Sequence, residues 1–436
     1  MTLSPNPNSK DSNHGNLWHE SCQEQVAAPA LCDDLSVNLL IVGGGFTGVS
    51  AAWHATCQGA SVALLEARSI GFGGSGRNVG LVNAGLWLPP QDVRKSLGEE
   101  VGTKLNTALG QGPDLVFNLI EDNSILCEAT RAGSLHCAHA PSGMTDLEKR
   151  FSQLQEMGAP VRLLNREEAR ARTGSPAVHG ALFDARAGTI QPLGFVRGLA
   201  RAAMAKGAKL YQDSPASSIR HDGNHWIARS AKGSVRADRL IMATNAYHSP
   251  AQGDIPAPSF SPVHYFQMAT APLSDNLRGQ IMAGGEGCWD TATVMSSFRL
   301  DAAGRLLLGG IGNLDSSTGT VHRSWAQHKL KQLYPMLADT PFEQGWCGRI
   351  AMTGDHIPKI TRIGPGALMA HGYSGRGISP GTVFGKAMAE ALLSGDESTL
   401  PLPAGATPYR ESFPEAKELF YEAGATAFHL KGRLLG

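Results

Sequence analysis

Leu39-Leu40-Ile41-Val42-Gly43-Gly44-Gly45-Phe46-Thr47-Gly48 is the stretch that decides the fold. Its first four residues are an apolar run of strand formers, the pattern of a strand covered on both faces. Beyond the glycines, Val49 to Gln58 is rich in alanine and is followed by Gly59, so it reads as a helix with a glycine stop. A second strand, Ser61 to Leu65, ends at Glu66. Each glycine has a mechanical reason to be there. Gly43 makes the turn, Gly45 lets backbone approach a pyrophosphate, and Gly48 lets the helix pack on the strand. Phosphates then sit at the helix N-terminus, where free N–H groups and the dipole favour anions.

Glu66 follows Gly48 by 18 residues, close to the spacing of about 20 for an acid that accepts from ribose hydroxyls. A carboxylate there repels a 2′-phosphate, which disfavours NADP. Gly71-Phe72-Gly73-Gly74-Ser75-Gly76 satisfies the same glycine pattern, but no helix starts at its end. Only the first copy joins strand, helix and acid, and it predicts dinucleotide binding.

A length of 436 residues implies two compact units or one large mixed one. Glycine supplies 52 residues, about 12% against an ordinary share of roughly 7%. Lys plus Arg and Asp plus Glu both number 38, so no net field draws the chain to nucleic acid or an anionic membrane. With 42% hydrophobic and 17% charged residues, disorder over the whole chain is excluded. Between Asp34 and Glu66 only His54 can carry charge, a length that suits a membrane span. The glycine cluster with polar Thr47, Ser50, Gln58 and Ser61 reads instead as buried strand, turn, helix and strand, and no integral membrane segment is expected.

The polar start lacks the charged-then-apolar order of a secretory signal. Residues 1 to about 15 read as a loose tail and 1–36 as a flexible N-terminal segment. Seven cysteines without a Cys-x-x-Cys pair suggest reduced thiols and a cytoplasmic protein. His136-Cys137-Ala138-His139 would place its two histidines on opposite sides of a strand, so no metal is expected.

A flavoenzyme reduced by NAD(P)H calls for a second complete strand-glycine-helix unit, and none is found. The chain returns to strand at Arg239 to Tyr247, and again at Ala367 to Ala370. There it leads into His371-Gly372-Tyr373-Ser374-Gly375-Arg376-Gly377 and a helix from Val383 to Leu393. This late turn could bring helix N–H groups beside a flavin ring or its ribityl chain.

Five blocks occur in order: Gly43 to Gly48, Gly74 to Asn78, Ala243 to Tyr247, Asp355 to Pro358, and Gly372 to Gly377. Together, over residues 37 to about 395, they resemble the D-amino-acid-oxidase superfamily of FAD enzymes, most closely its gamma-glutamylputrescine-oxidase branch. The chain departs at Val79-Gly80-Leu81, where that branch commonly reads Gly-Gly-Gln, and at Arg376, where it commonly has His.

The resemblance implies FAD, held without a covalent bond although Cys347 lies near where some relatives attach it. It places the cofactor on Gly43, Gly45, Phe46, Thr47 and Gly48, on Glu66, Ala67 and Arg68, and on Gly73, Gly74, Ser75, Arg77 and Asn78. The adenine passes Ala216, and Ala243, Thr244, Asn245, Gly372, Gly375, Arg376, Gly377 and Ile378 complete the set. Arg77 either neutralises charge on reduced flavin or bridges loops.

The implied reaction takes a hydride equivalent from the carbon beside an amine, giving an imine that water hydrolyses. Substrates are small amines or amino acids, and oxygen or a quinone takes the electrons. The alternatives are an FAD-bound subunit of a larger amine dehydrogenase and an NAD(P)H-reduced monooxygenase. Keeping an alkylamine of pKa about 10.4 neutral near pH 7 costs on the order of 4 kcal/mol, which an apolar closed pocket achieves by desolvation. Substrate candidates are His264, Tyr265, Arg349, His356 and Tyr373; catalytic candidates are Arg77, Asn78, Tyr265 and Arg349. Arg349 either grips a substrate carboxylate or forms a structural ion pair. Alternation lets only one of His264 and Tyr265 face the pocket.

The fold class that follows is α/β plus α+β: a Rossmann-like FAD-binding unit, a parallel sheet with an antiparallel ribbon, interleaved with a largely antiparallel sheet-and-helix substrate unit. The expected bounds are 37–90, 191–254 and 346–395 for the first, 91–190 and 255–345 for the second, and 396–436 for a C-terminal helical extension. Leu163 to Arg172 reads as a helix with Asn165 and Glu168 in a capping box.

Overall fold

The computed structural model describes residues 15–434 apart from 250 and 254, so nearly all of the expected loose tail lies outside the described residues. At its centre the apolar strand Leu35–Val42 is paired in parallel on both edges, with Val62–Leu65 and with Ser234–Met242. Lys209–Tyr211 extends the sheet beyond Val62–Leu65, and Ala367–His371 joins Ser234–Met242 at its far end. The ribbon Ser218–His221 and Trp226–Arg229 folds antiparallel onto the first half of that same edge. Leu39, Leu40 and Ile41 are fully buried, as a doubly covered strand requires.

Helix Phe46–Cys57 lies on this sheet, with Pro192–Ala205 and the long helix Ile378–Ser394 packed beside it. The late helix thus begins five residues before the expected Val383. A Cβ on its Gly381 would lie 3.1 Å from Thr47 Oγ1, so the two helices cross with little between them.

The second sheet has eight strands in the order Phe342–Met352, Ser261–Pro272, Arg305–Ile311, Ser296–Leu300, Gly287–Asp290, Ser134–Cys137, Ala181–Asp184 and Val161–Leu164. It is antiparallel except where Gly287–Asp290 meets Ser134–Cys137. Two large sheets and a two-stranded pair of Leu81–Val82 with Gly188–Thr189 make up the α/β plus α+β class expected from the sequence.

Several boundaries move. Phe342–Met352 pairs along its length with Ser261–Pro272, so the division expected at residue 346 falls inside one strand of the second sheet. Helices Glu99–Gly110 and Gly112–Asp122, expected with the substrate unit, bury Leu105, Leu109, Val116 and Phe117 in the cluster that holds the helix Phe46–Cys57. Leu163 lies in the strand Val161–Leu164, and the helix starts at Arg166 behind the expected Asn165–Glu168 capping box.

Residues 15–36 are not a flexible segment. Leu17 and Trp18 are fully buried, and Glu24 pairs with Arg201 at 2.9 Å. The helix Pro414–Leu434 docks on the second unit, where His429 stacks on Trp325 at 4.0 Å. Among the described residues no helix is long and apolar enough to cross a membrane, no metal-binding cluster occurs, and all seven cysteines are free.

Candidate cofactor and substrate site

Gly43 has φ of 111°, and a Cβ there would lie 2.8 Å from Ala243 O. A Cβ on Gly48 would overlap Gly43 O and stand 3.2 Å from Ile41 Cγ2, so these two glycines make the turn and the close packing expected of them. Gly45 faces Ser75, whose Oγ accepts from Phe46 N–H at 3.0 Å, and a Cβ on Gly45 would fill that cradle. Glu66 accepts from Gly44 N–H at 2.7 Å and from Arg68 N–H at 2.9 Å. A helix N-terminus, a glycine cradle and an acid at the strand end fit the pyrophosphate and ribose of FAD. Ala216 packs beside the cluster of Leu40, Val42 and Leu65, at the start of the ribbon.

Burial holds the Glu66 carboxyl above the usual carboxylate range, and the Gly44 and Arg68 N–H groups offset part of that effect. A carboxyl raised in the native state contributes stability that is complete below its unfolded pKa and is lost as pH rises through the native one. In flavin-stripped protein, Glu66→Gln is therefore expected to raise the melting temperature increasingly as pH climbs through and above the carboxylate range. Melting curves of both proteins across pH test this; a difference that shrinks with rising pH contradicts it.

Gly74–Gly76 forms one 3-10 turn leading into Arg77. The Arg77 guanidinium lies 4.3 Å from the Phe72 ring centroid and donates to Phe72 O. The Asn78 carboxamide gives both donors to Gly74 O and Ser75 O and accepts from Gly80 N–H. It shapes the loop, and this placement leaves it no N–H for the catalytic role expected of it. At the far end, Gly372 N–H donates to Asn245 Oδ1 at 3.0 Å, tying the late turn to the returning strand. Asn245, Ser374 and Gly375 all have positive φ there, so backbone is bent sharply at the strand ends.

Directly opposed strand residues share a face. Tyr265 opposes Gly348 and Ile311, Gln267 opposes Trp346 and Gly309, Ser297 opposes Gly309 and Trp289, and Trp289 opposes His136. One face of the second sheet therefore carries Trp346, Tyr265, Gln267, Ser297, Trp289 and His136. It looks onto the glycine loop, because Trp346 Nε1 donates to Arg77 O at 2.9 Å. Tyr265 Oη, Gln267 Oε1 and His136 Nδ1 on this face are buried without a protein partner. A polar ligand between sheet and loop fits that arrangement.

The same alternation turns His264, Cys347 and Arg349 from that face. His264 lies near Glu422, whose carboxyl is held low chiefly by the His322 hydrogen bond and further by His264. Cys347 Sγ accepts from Leu314 N–H at 3.0 Å, and burial pushes its thiol up to about 12, consistent with FAD held without a covalent bond. Arg349 sits at the strand edge, 4.7 Å from the Tyr247 ring centroid, with its backbone N–H on Tyr247 Oη.

His356 occupies the turn after that strand, with Nδ1 3.1 Å from Met352 Sδ. Tyr373 Oη lies 2.8 Å from Thr47 Oγ1 and its ring meets Phe384 edge-on, so it joins the late turn to the first helix. Of the five residues expected at the substrate, only Tyr265 reaches the face that looks onto the loop.

The structure gathers others. Arg376 lies 4.6 Å from the Trp289 ring centroid and donates to Ala84 O at 3.3 Å. It shares a narrow cavity of about 50 Å³ with Trp289, His136 and Arg150. His136 stacks on Trp289 with centroids 3.4 Å apart, and Trp87 meets Trp289 at 5.9 Å. Among the described residues neither Arg376 nor Arg150 forms an ion pair. Burial and then Arg150 push Arg376 down to about 9, and burial takes Arg150 to about 10. A larger cavity of about 440 Å³, bounded by Glu128, Asp275, Arg299 and Asp301, contains no residue of the fingerprint or the late turn.

A family model described as FAD dependent oxidoreductase, DAO, matches residues 38–391. The chain is 29% identical over 422 residues to gamma-glutamylputrescine oxidoreductase of Escherichia coli (strain K12), covering 95% of this chain and 97% of that one. It is 29% identical over 385 residues to the probable oxidoreductase OrdL of Haemophilus influenzae, with 87% and 88% covered. Among solved structures it resembles glycine oxidase from Geobacillus kaustophilus, with a TM-score of 0.67, 19% identity, and 87% and 99% covered. L-proline dehydrogenase from P. horikoshii gives a TM-score of 0.68 at 21% identity, with 85% and 98% covered. These last two likenesses concern the fold alone.

Proposed function

The chain belongs to the DAO family of FAD-dependent oxidoreductases, and from that premise we propose that it oxidises the carbon–nitrogen bond of an amine that also carries a carboxylate. The observation that carries this reading is the pair Arg376 and Arg150, two guanidinia that line one cavity with no ion pair to either among the described residues, the one carboxylate lining it, Asp184, being held by Arg186. Such a pair favours an anionic ligand, and a planar carboxylate suits a guanidinium fork.

FAD, when bound, supplies the acceptor for the hydride equivalent. Gly43 to Gly48 and Glu66 would hold its pyrophosphate and ribose, and the turn from Gly372 to Gly377 would hold the flavin end. The other requirements fall to side chains. Arg376 and Arg150 orient the substrate through its carboxylate. Trp87 and Trp289 exclude water from the amine, which must react in its neutral form. His136, kept uncharged by burial and then by the two arginines, adds no third positive charge beside that amine.

Within this substrate class an amino acid or N-alkyl amino acid is favoured, because Arg376 stands where the gamma-glutamylputrescine-oxidase branch commonly has His. A gamma-glutamyl amine, the substrate named for the relative from Escherichia coli, is the alternative.

The test is an anaerobic screen of the purified holoenzyme with amino acids, N-alkyl amino acids, gamma-glutamyl amines and plain diamines, scoring flavin bleaching. Carboxylate-bearing amines are expected to bleach it and their methyl esters to fail. Equal bleaching by ester and acid, or none by any amine, overturns the reading. Peroxide released during turnover in air identifies oxygen as acceptor; turnover with an added quinone and no peroxide identifies a quinone.

A further inference from the structure

Three successive carbonyls of the glycine loop are bound from outside it. Gly76 O accepts from Asn16 Nδ2 at 2.9 Å, Arg77 O from Trp346 Nε1 at 2.9 Å, and Asn78 O from Trp18 Nε1 at 2.8 Å. Two of these donors come from the segment just before the first strand. Trp18 is fully buried and Asn16 is 1% exposed.

That segment is itself pinned. Asn16 Oδ1 caps Trp18 N–H at 3.0 Å, and Gln191 Nε2 donates to Trp18 O at 2.8 Å. The Trp18 ring lies 5.2 Å from the Arg299 guanidinium and 5.8 Å from the Trp346 ring. Glu24 anchors the downstream end by bonds to Arg201 and to Leu126 N–H.

We infer that Asn16 and Trp18 are positioning residues for the flavin: together with Trp346 they bind three successive peptide carbonyls, Asn16 fixing the plane before Arg77, Trp346 the plane after it and Trp18 the plane after Asn78. With Asn16 setting the plane before it, Trp346 the plane after it and Trp18 holding the next peptide, the Arg77 Cα–Cβ bond keeps one direction, and that direction carries the guanidinium over Phe72. Gly76 is buried and Arg77 is 3% exposed, so water has little access to these carbonyls if the donors are lost. The inference rests on the loop serving FAD and is independent of the substrate.

Two variants each remove the donor to the loop and keep the other contacts of that residue. Trp18→Phe keeps a ring between Arg299 and Trp346 but cannot donate. Asn16→Asp keeps the cap on Trp18 N–H but no longer donates to Gly76 O. Glu24→Gln is the comparison, since it weakens the segment's anchor without touching the loop. The readouts on holoenzyme are the rate at which FAD leaves on dilution, the visible circular dichroism of the bound flavin, and the melting temperature of the protein.

Trp18→Phe and Asn16→Asp are each expected to release FAD about tenfold faster, the effect of one lost buried hydrogen bond, and to alter the flavin dichroism. Glu24→Gln is expected to lower the melting temperature with the dichroism unchanged and FAD release within about twofold. If all three speed FAD release in proportion to lost thermal stability, the segment is only structural and the inference falls; it falls also if none does. Should Trp18→Phe not fold, Asn16→Asp decides. A holoenzyme that keeps FAD but oxidises no amine would defeat the proposed function and leave this test intact.

Discussion

Gly48→Ala is expected to yield little folded protein and none that retains FAD. The added Cβ would overlap the Gly43 carbonyl and press on Ile41 Cγ2 at 3.2 Å, and the Gly43 backbone cannot withdraw without opening the turn. Overpacking that side chains can absorb costs about 1–3 kcal/mol; here backbone meets backbone, so a loss of about 3 kcal/mol or more is expected. Gly59→Ala is the contrast. Gly59 has φ of 83° but nothing within 4 Å of a built Cβ, so it should cost only about 1–2 kcal/mol of left-handed strain and keep full flavin content. Melting temperature and the flavin-to-protein absorbance ratio measure both. A Gly48→Ala protein with ordinary flavin content would refute the reading of that turn.

Arg376→Met is expected to lower kcat/KM for the carboxylate-bearing substrate by roughly two to three orders of magnitude, because removing one partner of a buried charge pair costs about 2–5 kcal/mol. FAD content should be unchanged, since Arg376 makes its contacts to Trp289 and Ala84 O. Arg376→His, which restores the residue common in the gamma-glutamylputrescine-oxidase branch, should move preference toward gamma-glutamyl amines. Steady-state kinetics on an acid and its methyl ester separate the effects. An equal loss on both would show that Arg376 does not bind the carboxylate.

What the sequence discloses is what is local. Strand, glycine turn, helix and acid from Leu39 to Glu66 form one continuous unit, and each glycine meets the neighbour its position implies. The Asn165–Glu168 capping box is equally local and equally plain. Partners far apart in the chain are not. Tyr373 suits a pocket wall by its place in a conspicuous glycine turn, yet its hydroxyl meets Thr47, 326 residues away. Trp289 and His136 stack because two strands from different parts of the chain run parallel in one register, which no periodicity announces. Asn16 and Trp18 lie in a polar stretch that looks like tail, and only their burial against the loop gives them a role. Alternation did limit His264 and Tyr265 to one inward residue, but the inward choice depended on which face meets the glycine loop.

The order in which the first sheet is assembled bears on how the protein is made. The strand Leu35–Val42 is synthesised early, but its neighbour Ser234–Met242 follows some 200 residues later, and the helix that covers Phe46–Cys57 begins at Ile378. At roughly 5–20 residues per second, the apolar fingerprint waits tens of seconds for its cover. During that interval a nascent chain carries an unpaired hydrophobic strand edge and no seat for a cofactor. The seat for FAD is therefore complete only after Ile378 and the late helix have been made, so FAD is a late arrival in the folding of this chain rather than a template for its first strand.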